Sequence, residues 1–189
     1  MSAKPSRRKK SRSDLTSGKK GTPAPSAGTT LRARKVPGQD AWELVHPRCA
    51  RDRAEDLDEV RKMLDAGEVA VAVDECRWLL QGCSDCLEAH RLLGEIAMGE
   101  NDLLLARGHF GYGYRLGTQA LDRAGSQGPL PYRLPVNQGF LECAKGLAWC
   151  LKQLGKPQMA AEVVAVALRC DASDPLGIKA LLVDTSGSA

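Results

Sequence analysis

The sequence predicts an all-α fold, a short stack of three antiparallel helix hairpins, and three observations carry that prediction. From about Asp40 onward apolar residues recur at spacings of three and four, as in Leu57, Val60, Met63 and Leu64, then Leu92, Leu93, Ile96 and Ala97, later Leu147, Ala148, Leu151 and Leu154. Clusters of Gly, Asp, Asn, Ser and Pro at 65–67, 82–85, 99–102, 125–129, 154–157 and 171–175 cut this pattern into segments of helix length. Small residues then return at fixed offsets in successive segments, the mark of a structural repeat.

The N-terminal segment is set apart by charge. The chain of 189 residues carries 27 Lys and Arg against 23 Asp and Glu; residues 1–37 hold eleven of the bases and one acid, Asp14, leaving 16 against 22 for the rest. Rich in Ser, Gly, Pro and Thr, this segment buries too little apolar surface to offset its ordering entropy and is expected to be a disordered basic tail ending near Val36-Pro37-Gly38. Arg7, Arg8, Lys9 and Lys10 form its densest run, suited to weak, salt-sensitive and sequence-blind attraction to nucleic acid; a solubilising leader is the plainer reading. Trp42, Leu44 and Val45 are expected to dock on the first hairpin before Pro47 interrupts any helix.

Composition excludes other classes. No apolar run approaches the roughly 20 residues needed to span a bilayer, so no membrane is expected among the partners. Seven Cys, an odd number with no cleavable leader read ahead of them, predict free thiols in a reducing compartment, the cytoplasm.

The recurring frame is specific. Gly94 is followed at offsets of 12, 16 and 19 by Ala106, Phe110 and Gly113; Ala148 is followed at the same offsets by Ala160, Val164 and Ala167; Val60 leads likewise to Ala72, Cys76 and Leu79. Gly67, Asn101 and Gly155 each stand five residues before the Ala. Val60 and Gly94 are 34 residues apart, and Gly94 and Ala148 are 54 apart, the same period plus 20. On these residues the chain resembles the tetratricopeptide repeat family, in degenerate copies over 53–86, 87–120 and 141–174 with a helix-extending insertion at 121–140. The large aromatic of the family's first helix is replaced by Asp56, His90 and Ala144, and its terminal Pro by Ser84, Thr118 and Ala172. The resemblance implies a right-handed superhelical domain over 38–185. In it Ala72, Gly94, Ala106, Ala148 and Ala160 let helices approach closely, while Cys76, Phe110 and Val164 fill the joints between hairpins.

The insertion reads as two helix extensions. Helical spacing continues from Leu103 to about Ala124, and Pro135-Val136 is a natural helix start, which leaves Gly125–Leu134 as the loop. Gly108, Gly111, Gly113 and Gly117 lie within the long helix, where each costs up to about 1 kcal/mol relative to Ala. Close packing of a neighbouring backbone is their expected role, and opening of a ligand groove is the alternative. Asp174-Pro175 reads as an N-cap with a first-turn Pro, starting a capping helix over 175–184.

Residue chemistry gives little support for catalysis or a cofactor. Cys83, Cys86 and His90 have the best metal-like spacing, two thiolates and an imidazole, with no fourth ligand nearby; buried or surface thiols are the plainer reading. Cys143 and Cys150, seven apart, read as core. No phosphate loop or nucleophile elbow is present, and no enzyme is expected.

What the resemblance implies instead is a surface. The family's concave groove holds an extended peptide or a partner helix. Its groove positions fall here on Leu57, Arg61 and Leu64, then Arg91, Glu95 and Met98, then Lys145, Trp149 and Lys152. Four of these nine are cationic, around one Trp, which favours an acidic partner segment with an apolar anchor; a merely solvated charged face is the alternative. The expected function is a non-enzymatic protein-interaction scaffold, with a nucleic-acid-associated accessory role for the basic tail as the second reading.

Overall fold

Three turns of one kind organise the chain. The computed structural model describes residues 30–126 and 128–183. Helices α2 (Ala54–Asp65), α4 (Leu87–Gly99) and α6 (Pro135–Gln153) each end two residues before a left-handed residue. These are Gly67, Asn101 and Gly155, with φ of 78°, 61° and 69°. Beyond each, the next backbone N–H reaches back to the helix: Glu68 to the Met63 carbonyl at 2.8 Å, Asp102 to Ala97 at 2.8 Å, and Lys156 to Leu151 at 2.9 Å. This is the Schellman arrangement, which satisfies the last carbonyls and reverses the chain. Helices α3 (Val69–Gly82), α5 (Leu103–Arg123) and α7 (Pro157–Cys170) then return antiparallel.

The frame residues occupy equivalent places. Ala72, Ala106 and Ala160 are each the fourth residue of the returning helix, and none is more than 3% exposed. Val60, Gly94 and Ala148 are each five residues from the end of the outgoing helix, and all are buried. The chain is all-α in class. Its insertion lengthens α5 and α6, joined by the loop over 124–134.

Close approach explains some of the glycines. The Phe110 ring is held between α4 and α6, where a Cβ at Gly94 or at Gly146 would lie 2.7 Å from its atoms. A Cβ at Gly117 would fall 2.1 Å from the Phe140 ring, and one at Gly113 would fall 2.6 Å from the Cys143 sulfur. Gly108 has nothing within 4 Å, and Gly111 meets only Leu147 at 3.7 Å. Close packing is thus found at Gly113 and Gly117, but against side chains of α6 and not the neighbouring backbone that was expected; Gly111 makes an ordinary contact and Gly108 faces open space.

Four expectations need correction. Ordered structure begins before Val36-Pro37-Gly38, because β1 (Arg32–Lys35) pairs antiparallel with β2 (Trp42–Val45), Arg32 opposite Val45. Leu31, 0% exposed, anchors this hairpin as its one large apolar side chain from the basic segment. The rest of the expected tail, including Arg7, Arg8, Lys9 and Lys10, lies outside the described residues.

Trp42 and Leu44 dock on the start of α6 and the loop before it, and not on the first hairpin. The Trp42 N–H donates to the Pro129 carbonyl at 2.8 Å and the Leu44 N–H to Asn137 Oδ1 at 2.9 Å. The fully buried Asn137 amide in turn donates to the carbonyls of Trp42 and Pro131, at 3.1 and 3.0 Å. No helix runs through Pro47, which precedes the short helix α1 (Arg48–Arg51).

The third correction concerns the thiols. Cys49 and Cys83 form a disulfide joining α1 to the end of α3, so two of the seven Cys expected as free thiols are paired, while Cys76, Cys86, Cys143, Cys150 and Cys170 are free. The fourth concerns the cap. Asp174 is left-handed, with φ of 49°, and its carboxylate accepts from the N–H groups of Ile178 and Lys179 at 2.7 and 3.0 Å. The capping segment is accordingly a 3-10 helix, Ile178–Leu182, and not an α-helix beginning at Pro175.

The interior falls into two clusters. One gathers Leu57, Val60, Ala72, Cys76 and Leu79 from the first hairpin with Cys83, Cys86, Ala89, Leu92 and Leu93. The larger runs through α4 to α7 around Phe110 and Phe140 and takes in Leu31, Leu44, Leu130 and Ile178.

Candidate functional site

Residues spaced three, four and seven apart share one face of a helix. On α4 this face carries Arg91, Glu95 and Met98; on α6 it carries Glu142, Lys145, Gly146 and Trp149. The two helices pack side by side, and these faces line a groove of about 510 Å³ with Phe110 at its base and Leu176 at its edge. Gly146 sets the depth, since a side chain there would meet the Phe110 ring. Five of the expected groove residues, Arg91, Glu95, Met98, Lys145 and Trp149, are thus brought together.

The other four are not. Leu57 lines a separate depression of about 300 Å³ between β2, α1 and α4, and Leu64 packs on the first-hairpin core. Lys152 donates to the Val183 carbonyl in the chain's last described turn. Arg61 is drawn to Glu88, 2.6 Å away, and to Asp58 at 2.5 Å.

Charge in the groove is largely satisfied from within. Arg91, its side chain 14% exposed, donates to Glu88 at 2.7 and 2.9 Å and to Glu95, and forms an ion pair with Glu142 at 3.2 Å. Burial opposes the Glu88 carboxylate, yet the hydrogen bonds and charges of Arg91 and then Arg61 outweigh it and hold its pKa below the ordinary value. The hydroxyl of Tyr132 donates to Glu142 at 2.7 Å, orienting the carboxylate toward Arg91. The count of four cations therefore overstates the positive character of this surface. Arg61 and Arg91 are neutralised by Glu88, Glu95 and Glu142, whereas Lys145 is exposed and makes no ion pair among the described residues.

Glu142, Gly146 and Leu176 are lining residues that sequence reasoning missed, and Phe110 was expected only as a packing residue. Glu142 lies three residues before Lys145 and seven before Trp149, so the helical face that named those two could have named it as well. Leu176 arrives from the capping segment and leaves no such signal.

The metal-like set takes other roles. Cys83 is committed to the disulfide with Cys49. Cys86 is buried and its pKa is raised by burial; Cys76 nearby is pushed up to about 12, again by burial first. His90 is 8% exposed, its Nε2 lies 3.2 Å from the Ser84 carbonyl and its ring stacks on Tyr112 with centroids 4.3 Å apart. A carbonyl only accepts, so Nε2 carries the hydrogen and Nδ1, 3.5 Å from Nδ1 of His109, faces that ring as an acceptor. Burial is the main cause that lowers the His90 pKa to about 4. Among the described residues no group of three or more His, Cys, Asp or Glu is placed to hold a metal ion.

The arrangement offers contact area, a cation without an ion pair among the described residues, and carboxylates fixed by Arg91, which are means of binding. No family model matches the chain, and no curated protein and no solved structure is significantly similar to it.

Proposed function

We propose that the chain is a non-enzymatic protein-interaction scaffold of tetratricopeptide-like type, holding a partner segment in the groove between α4 and α6. The observation that carries this reading is the open groove of about 510 Å³ in which half-buried Trp149 stands beside Met98 and Leu176. It lies on the face that the repeat frame assigns to the outgoing helices. A partly exposed aromatic with apolar neighbours in a concave site is the usual energetic centre of a protein interface. The partner segment brings an apolar anchor for Trp149, with an acidic residue beside it for Lys145. The acidic preference thus narrows to a single contact, because Arg91 is already met by three carboxylates.

The test compares proteins retained by the full chain with those retained by Trp149→Ala and Lys145→Glu, affinities being measured for each partner so identified. Trp149→Ala should weaken a groove partner by about 2 kcal/mol or more, a factor near 30, without lowering the melting temperature, and Lys145→Glu should weaken it less. Unchanged partners and affinities in both variants would refute the groove. The second reading, attraction of nucleic acid by the basic tail, is supported by the eight Lys and Arg against one Asp in residues 1–29. Deleting those residues should then abolish a steeply salt-dependent retention on DNA or RNA.

A further inference from the structure

A second groove, of about 490 Å³, opens between α5 and α7. Leu147 and Leu151 of α6 form its floor and Val163 and Val166 of α7 one wall; the other wall is α5 at Gly108 and Gly111. Leu147 and Leu151 are two residues removed from Lys145 and Trp149, on the far side of α6, so this groove faces away from the one already described. It is open because α5 lacks side chains there. Each of these glycines lowers helix stability, and nothing inside the chain requires either: a Cβ at Gly108 meets no atom within 4 Å, and one at Gly111 makes an ordinary contact with Leu147.

The same face carries what would fill such a gap. Leu104, one turn before Gly108, is 65% exposed, and Met159 at the rim is 48% exposed. Its charges are paired in kind as well, since Arg107 stands on the α5 rim and Glu162 on the α7 rim, and neither makes an ion pair among the described residues. A surface that holds a protruding apolar side chain beside a matching gap, and a cation across from an anion, is complementary to itself. Self-complementarity is what a two-fold interface demands, because the same patch is used by both subunits.

We propose that the α5–α7 face is a homodimer interface of this chain, with Leu104 seated in the gap over the partner's Gly108 and Gly111, and Arg107 paired with the partner's Glu162. The arrangement leaves the α4–α6 groove of each copy facing outward, so it neither needs nor prevents the function proposed above.

Sedimentation equilibrium of the full chain and four variants tests it. The wild-type chain should dimerise. Arg107→Glu and Glu162→Arg should each raise the dissociation constant about tenfold or more, because each contact occurs twice, and the double exchange should bring it back to within about threefold of wild type. Gly108→Leu fills the gap and should give a monomer whose circular dichroism is unchanged and whose melting temperature is no lower. A wild-type chain that is monomeric at every concentration would overturn the proposal. So would a dimer indifferent to Gly108→Leu, or one that the charge exchange fails to restore.

Discussion

The first helix hairpin and the two that follow share one frame and are held together differently. In α4 to α7 the stabilising element is an aromatic ring seated among glycines, with Phe110 between Gly94 and Gly146, and Phe140 against Gly117. The first hairpin has Cys76 at the place of Phe110 and no buried aromatic in its cluster. It is fastened instead by the Cys49–Cys83 bond and by exposed polar contacts such as the Arg53 guanidinium 4.2 Å above the Trp78 ring. Its charge differs as well: residues 38–102 carry 16 Asp and Glu against seven Lys and Arg, while 103–183 carry five against nine. Outside itself, the first hairpin packs chiefly on α4. A covalent link offsets what its packing cannot supply, and the surplus of like charge adds to the need for one.

This comparison can be broken by experiment. Phe110→Ala should have the largest effect, about 3–5 kcal/mol, because the ring is 1% exposed and its rigid glycine walls cannot close on the cavity. Calorimetry should show the whole molecule melting earlier. Replacing Cys49 and Cys83 by Ser comes next, at about 3–4 kcal/mol from the loop-closure entropy of the 34-residue separation. Hydrogen exchange should then show α2 and α3 losing protection while α5 to α7 keep theirs. Equal loss in both regions would mean that the molecule is a single cooperative unit.

A smaller effect sits at the seam between the regions. His90 is neutral in the folded chain, with its pKa lowered to about 4 by burial first and then by the charge of His109 and Arg115, against the raising effect of Ser84 and Asp85. The unfolded chain binds this proton near pH 6.5, so it holds more protons than the folded chain between about pH 6.5 and 4. Stability is therefore full above about pH 6.5 and falls as the pH drops toward 4, by up to about 3 kcal/mol. A denaturant series should show this slope and its flattening in His90→Gln; an equal slope in the variant would assign it to other groups.

The helices and their reversals were legible because each rests on local chemistry: apolar spacing, a left-handed Gly or Asn, a Pro at the first turn of α6 and α7. The equivalent placing of Ala106 and Ala160 was legible for the same reason, since each is the fourth residue of a helix that follows a left-handed turn. The β hairpin was not, because strands of four residues show too little alternation in Trp42–Val45 to stand out from a helical background. Nor was the disulfide, whose partners lie 34 residues apart among seven Cys. In the groove, Arg91, Glu95, Met98, Lys145 and Trp149 were found from the frame, but its charge was misjudged. Arg91 draws Glu88 and Glu95 from its own helix and Glu142 from another, and the last of these pairings depends on how the two helices pack.

Asn137 has a bearing on how the chain can be shortened. Its amide is the knot where the entering strand, the central loop and α6 are tied. A fragment trimmed to begin after Val45, as a boundary drawn at the first long helix would suggest, would take from that amide two of its three mates and the strand that lies on it. The short leading ribbon is thus a foundation of the distant sixth helix, and a minimal version of the molecule has to retain it.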